Sequence, residues 1–123
     1  MTMQSLEYQT EYENFHQLLI QLQELLAQNS QEQKAITKTF QDIQIFFSDR
    51  LIGLDPNLMN QTTAEKIQSY LTEIHKQLKM ISIDMAFLRT SRDSETAVSH
   101  RQNISDRLHV LMSYCTAIQG LEC

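Results

Sequence analysis

The residues of this 123-residue chain whose types and spacing come nearest to a chemical site are Glu13-Asn14-Phe15-His16 and Asp106-Arg107-Leu108-His109. An acid three residues before a histidine on two helices, with an inward acid on each of two others, holds a carboxylate-bridged pair of metal ions in a helical bundle. Only half of that set is present. If the apolar seams of the helices are written as a and d of a heptad, Glu13 falls at b, Asp106 at f and His109 at b, all turned to solvent. The chain is therefore expected to hold no metal or other cofactor.

His75, with Leu78 and Lys79 after it, invites comparison with histidine phosphotransfer domains, four-helix bundles of similar length. Their exposed histidine is followed by x-Leu-Lys-Gly, whereas here the order is His75-Lys76-Gln77-Leu78-Lys79-Met80. The spacing is off by one, and the glycine that admits a partner is missing. His75 then reads as an e-position residue, with a phosphotransfer-like bundle as the alternative. Asp84 sits at g in the most apolar stretch of the chain and is expected to pair with an Arg or Lys or to reach the bundle rim. Cys115 falls on a core seam as a small hydrophobe. Eight residues of helix to Cys123 rise roughly 12 Å, too far for a disulfide. No nucleophile, base or paired acid is recognisable, and no enzyme activity is expected.

The elements that position these residues are legible from apolar spacing. Tyr8, Tyr12, Phe15, Leu19, Leu22 and Leu26 step by 4 and 3 along a first helix from about Ser5 to Ala27, with Leu18 and Leu25 widening the stripe. Asn29-Ser30 breaks it, and Ser30 with Gln33 forms a capping-box signal for a second helix carrying Ile36, Phe40, Ile43 and Phe47. Gly53 is expected in the left-handed region just past that helix, before a loop over Leu54 to Gln61 that reads as the best candidate for a mobile segment. Thr62-Thr63-Ala64-Glu65 reads as a second capping box for a helix from about Thr63 to Arg92, whose seam is Ile67, Leu71, Ile74, Leu78, Ile81, Met85 and Leu88. Asp93 or Ser94 caps a fourth helix with Ala97, Arg101, Ile104, Leu108, Leu111, Cys115 and Ile118 on its seam and Gly120 at its end. Arg101, the one charged seam residue, is expected to extend towards water. Four such seams joined by short loops predict an all-α fold, an antiparallel up-down four-helix bundle of long helices forming a single domain over 1–123.

Composition narrows the function classes. Two glycines, one proline and no tryptophan suit long helices. The net charge of −5 is uneven: residues 1–60 hold three Lys/Arg against eight Asp/Glu, and 61–123 hold seven of each. An acidic first half argues against nucleic acid, whose phosphates need a clustered basic surface. No apolar run reaches the roughly 20 residues that span a bilayer, and residues 1–6 lack a basic segment followed by an apolar one. A soluble, cytoplasmic protein without membrane insertion is expected.

The third helix carries a second apolar row. Met80, Ile83 and Phe87 fall at c, f and c, where a simple bundle shows charge, and Lys76 and Lys79 border them. Ile45 and Ile52 repeat the oddity on the second helix. Two readings stay open. Either the third helix is more central than this register assumes, or the strip is a groove for a partner helix or an extended acidic-apolar peptide.

Across Glu73-Ile74-His75-Lys76-Gln77-Leu78-Lys79-Met80-Ile81-Ser82-Ile83-Asp84-Met85-Ala86-Phe87-Leu88-Arg89, then Asn103-Ile104-Ser105-Asp106-Arg107-Leu108 and Tyr114-Cys115, the chain resembles the cyanobacterial heterocyst frequency control family, PatD. The resemblance implies a small cytoplasmic, non-enzymatic regulator of how often cells commit to heterocysts. It further implies association with the tubulin-like division GTPase FtsZ and an influence on FtsZ assembly. Lys76, Lys79, Met80, Ile83 and Phe87 are then the candidate contact residues, although nothing carried over from the family assigns them. A homodimer in which the strip pairs with its symmetry mate is the competing non-enzymatic reading.

Overall fold

A computed structural model describes residues 3–28, 33–54, 61–91 and 93–121, with side chains from Glu7 onward. Four helices account for nearly all of it: α1 (Met3–Ala27), α2 (Gln33–Phe46) running into a π-helical turn (Phe47–Leu51), α3 (Gln61–Thr90) and α4 (Ser94–Gln119). Cross-helix pairs fix their directions. Glu11 meets Arg50 and Phe15 meets Phe46 and Phe47, so α1 and α2 are antiparallel. Gln9 donates to the Gln119 carbonyl and Gln23 to the Ser105 hydroxyl, so α1 and α4 are antiparallel. Along α3 and α4, Tyr70 lies against Tyr114, Gln77 against Arg107 and Asp84 against His100. The expected up-down four-helix bundle is the fold.

The seams form one core. All six α1 seam residues, the four of α2 and five of the seven on α4 are buried. Burying such stripes is what holds the helices, since a full-length aliphatic side chain contributes about 1.5–3 kcal/mol. Leu71 departs from the expected seam and is only half-buried; Tyr70 beside it lies against Tyr114, with ring centroids 5.6 Å apart. Arg101 does not simply run to water. Its guanidinium donates to the Leu26 carbonyl at 3.4 Å, in the last turn of α1, where carbonyls lack helical partners.

Three terminal signals read differently in three dimensions. The helix of α2 widens after Phe46, with the Ile52 amide donating to the Phe47 carbonyl at 3.0 Å, a five-residue step. Leu51 and Leu54 are buried after Phe47, and Ile52 is exposed. Gly53 does not take the left-handed conformation; a Cβ there would lie 3.2 Å from the Asp49 carbonyl, so its role is close approach. Thr62-Thr63-Ala64-Glu65 is not a capping box, because Gln61 is already helical, Thr63 is buried, and the Glu65 carboxylate accepts from Gln61 Nε2, a side-chain donor, at 3.1 Å. Asp93 does cap α4, accepting from the Glu95 amide and the Thr96 hydroxyl, both at 3.1 Å. Ser30 of the first capping signal, most of the Leu54 to Gln61 loop, Arg92 and Cys123 lie outside the described residues.

One edge of the bundle is open. α1 packs against α2 and α4, and α4 against α3, but α2 and α3 touch along only a few residues. Two grooves of about 350 and 130 Å³ follow that edge, sharing Gln44 and Ser82. Phe40, Phe47, Leu78 and Met85 form their floor.

Candidate interaction surface on α3 and α4

Met80, Ile83 and Phe87 are 36%, 45% and 54% exposed. The more central placement of α3 is therefore not what the fold adopts: the opposite side of this helix packs Ile74, Leu78, Ile81, Met85 and Leu88 into the core, and the second row faces out. Lys76 and Lys79 are exposed beside it, as is Arg89. Lys79 and Arg89 lean over the two grooves at the open α2–α3 edge. Among the described residues none of the three cations has an ion-pair or side-chain hydrogen-bond partner. Ile45 and Ile52 are each more than half exposed, but Ile45 shares its open hollow with Asp42, Asp49 and Arg50, a mixed-charge setting.

Beneath the strip, α3 and α4 are joined by a polar network. Asp84 is buried, and its Oδ1 lies 2.8 Å from His100 Nδ1 and 3.4 Å from the Asn103 amide nitrogen, while Oδ2 is 3.7 Å from Arg107 Nε. Arg107 also donates through Nη1 to Gln77 Oε1 at 3.0 Å. The imidazole of His100 stacks on Phe87, with centroids 5.0 Å apart and planes only 4° off parallel. A buried carboxylate thus holds the ring on which Phe87, the aromatic of the strip, rests. That arrangement narrows the freedom of Phe87 before any partner arrives.

Asp84 pairs with a basic residue as expected, though its shortest contact, to His100, was not anticipated. A signal for it exists. Asp84 occupies g of α3, and His100 and Arg107 occupy successive g positions of α4, where flanking residues of neighbouring helices meet.

The other candidate residues are not brought together. Glu13, Asp106 and His109 are exposed and His16 is half-buried. Glu13 faces Gln119, which donates to it at 3.2 Å, while Asp106 lies roughly 20 Å back along α4. The amides of Gln17 and Gln119 hold the Glu13 carboxyl below its ordinary range. No group of three or more His, Cys, Asp or Glu among the described residues is placed to hold a metal ion. His75 is exposed, with its ring 6.2 Å from that of Phe47. Cys115 is fully buried and burial pushes its thiol up to about 12; burial likewise raises the Tyr12 phenol, whose hydroxyl lies inside the core without a hydrogen bond. Among the described residues no helix is long and apolar enough to cross a membrane. A void at the bundle end beside Tyr8, Thr63 and Ile118 measures about 10 Å³, room for one water.

Comparison with protein families, with characterised proteins and with solved structures yields no match to this chain.

Proposed function

We propose that this chain is a non-enzymatic cytoplasmic regulator that binds FtsZ and modulates its assembly, linked to the frequency of heterocyst differentiation, with Lys76, Lys79, Met80, Ile83 and Phe87 as the contact face. The observation that carries the interaction reading is the exposure of Met80, Ile83 and Phe87 on a helix whose other side is packed. An exposed apolar row at helical spacing is the form of surface that receives a partner helix or peptide. The FtsZ assignment rests on the PatD resemblance. Its two main segments, in α3 and α4, meet through Asp84 with Asn103 and Gln77 with Arg107 and so contribute to one face.

Co-sedimentation with FtsZ, with and without GTP, tests the reading, using Phe87→Glu as control. Pelleting that depends on GTP and is lost in a folded Phe87→Glu protein supports it. Pelleting in neither nucleotide state refutes the partner. A homodimer burying the same strip is the second reading, favoured by the same exposure. Sedimentation across a concentration series separates them, because a constitutive dimer would hide the strip and Phe87→Glu would make it monomeric.

A further inference from the structure

We infer, resting on the docking face proposed above but not on which protein docks there, that α3 receives an amphipathic helix with one acidic flank, laid along the strip and over the open α2–α3 edge. Four independent features point to this occupant. The strip presents apolar side chains at 80, 83 and 87, the spacing that meshes with i, i+3/i+4 and i+7 anchors of a second helix. Lys79 and Arg89 lie on the α2 side of it, with Lys76 one heptad before Ile83, and these cations have no anionic partner among the described residues. Neither groove along that edge contains an acidic lining residue, and the α2 wall offers Thr37, Gln41, Gln44 and Ser48. The one acid of α3 between Ile74 and Thr90, Asp84, is turned to α4 and occupied by His100.

An unpaired basic row on a chain of net charge −5 is therefore local and one-sided. From Lys76 to Arg89 the helix rises roughly 20 Å, which a partner helix of about 13 residues spans. The asymmetry argues against an anionic bilayer, which would meet cations equally on both sides of an apolar row and would gain from a chain of net positive charge. Phe87 is the anchor at the far end. Held by the His100 ring, it gives up little rotamer freedom when covered.

The probe is a fluorescent synthetic helix of about 18 residues, long enough to hold helical structure alone, with Leu at i, i+4 and i+7 and Glu along one flank. A twin carries Lys in place of Glu. Anisotropy titrations of the whole chain should show binding of the Glu probe that weakens with salt. In Lys76→Glu/Lys79→Glu, both positions being exposed, the Glu probe should lose on the order of tenfold or more in affinity and the Lys twin should gain. Equal binding of both probes, binding of neither, or a Glu-probe affinity unchanged in the double variant overturns the inference. Capture by phosphatidylglycerol vesicles lost in the double variant, with no probe bound, overturns it in favour of a membrane surface. Probe binding without FtsZ pelleting leaves the acidic-helix site standing and removes FtsZ; FtsZ pelleting without probe binding does the reverse.

Discussion

Phe87 and Leu88 are neighbours in sequence and opposites in structure, so truncating each to alanine should give very different losses of stability. Phe87 is 54% exposed, and less than half of its surface is buried on folding. Full burial of a Phe side chain contributes about 1.5–3 kcal/mol, so the buried share contributes roughly 1 kcal/mol. The parallel stack on His100 adds about 0.5–1 kcal/mol. Leu88 is 3% exposed and sits in the core seam with Met85 and Ile81, where removing three carbons leaves a cavity and costs about 2–5 kcal/mol. For a domain of this length 1 kcal/mol moves Tm by roughly 3–5 °C. Phe87→Ala should therefore lower Tm by about 5–10 °C and Leu88→Ala by about 6–25 °C, the larger loss falling on Leu88. Thermal unfolding followed by circular dichroism at 222 nm measures both. Phe87→Glu should stay folded, whereas Leu88→Glu should not. Equal losses for the two alanine variants, or a Phe87→Glu chain that fails to fold, would mean that Phe87 belongs to the core and that the exposed strip is not free to dock.

Three further outcomes follow from the same contacts. In double-mutant cycles the coupling of Asp84 to His100, at 2.8 Å, should reach about 1–2 kcal/mol, and its coupling to Arg107 Nε, at 3.7 Å and beyond hydrogen-bond range, should stay below about 1 kcal/mol; the reverse order would refute the geometry of the network. Cys115 should not react with a thiol reagent in the folded state. Because the fold favours the neutral thiol, its stabilising effect is whole below the ordinary pKa near 9 and drains away as pH rises towards about 12. Urea unfolding should lose roughly 1 kcal/mol per pH unit more over that window in the wild type than in Cys115→Ala, and equal slopes would contradict the burial. Removing the α4 cap in Asp93→Ala should cost about 1 kcal/mol, read as a shift in urea midpoint at unchanged m-value, while an unshifted midpoint would mean the cap contributes nothing.

Much of the architecture is present in local order. The 4-and-3 spacing of Tyr8 to Leu26 and of Ile104 to Ile118 places those residues on single stripes, and a stripe that wide has to be buried whatever it packs against. The cap at Asp93 and the burial of Cys115 are equally local. So is the position of Met80, Ile83 and Phe87 on a side of the third helix away from its seam, though not whether that side is covered.

Tertiary structure alone decided which flanks meet, and with what spacing. Whether a second apolar row is covered depends on how many neighbours its helix has. Here α3 lies firmly against α4 and only loosely against α2, a consequence of how all the seams pack together. The wide turn at Phe47–Leu51 is likewise not legible in the sequence. Phe47, Leu51 and Leu54, at i, i+4 and i+7, would share one side of a regular helix too, so their spacing carries no signal of the wider turn. The Asp84–His100 contact needs both the antiparallel direction of α3 and α4 and their axial register, neither of which is written in the spacing of either helix by itself. Periodicity specifies which side of a helix is buried, because that depends on the helix alone. The open edge, the paired flanks and the seating of Phe87 on His100 depend on distances between helices, which only the packed core sets.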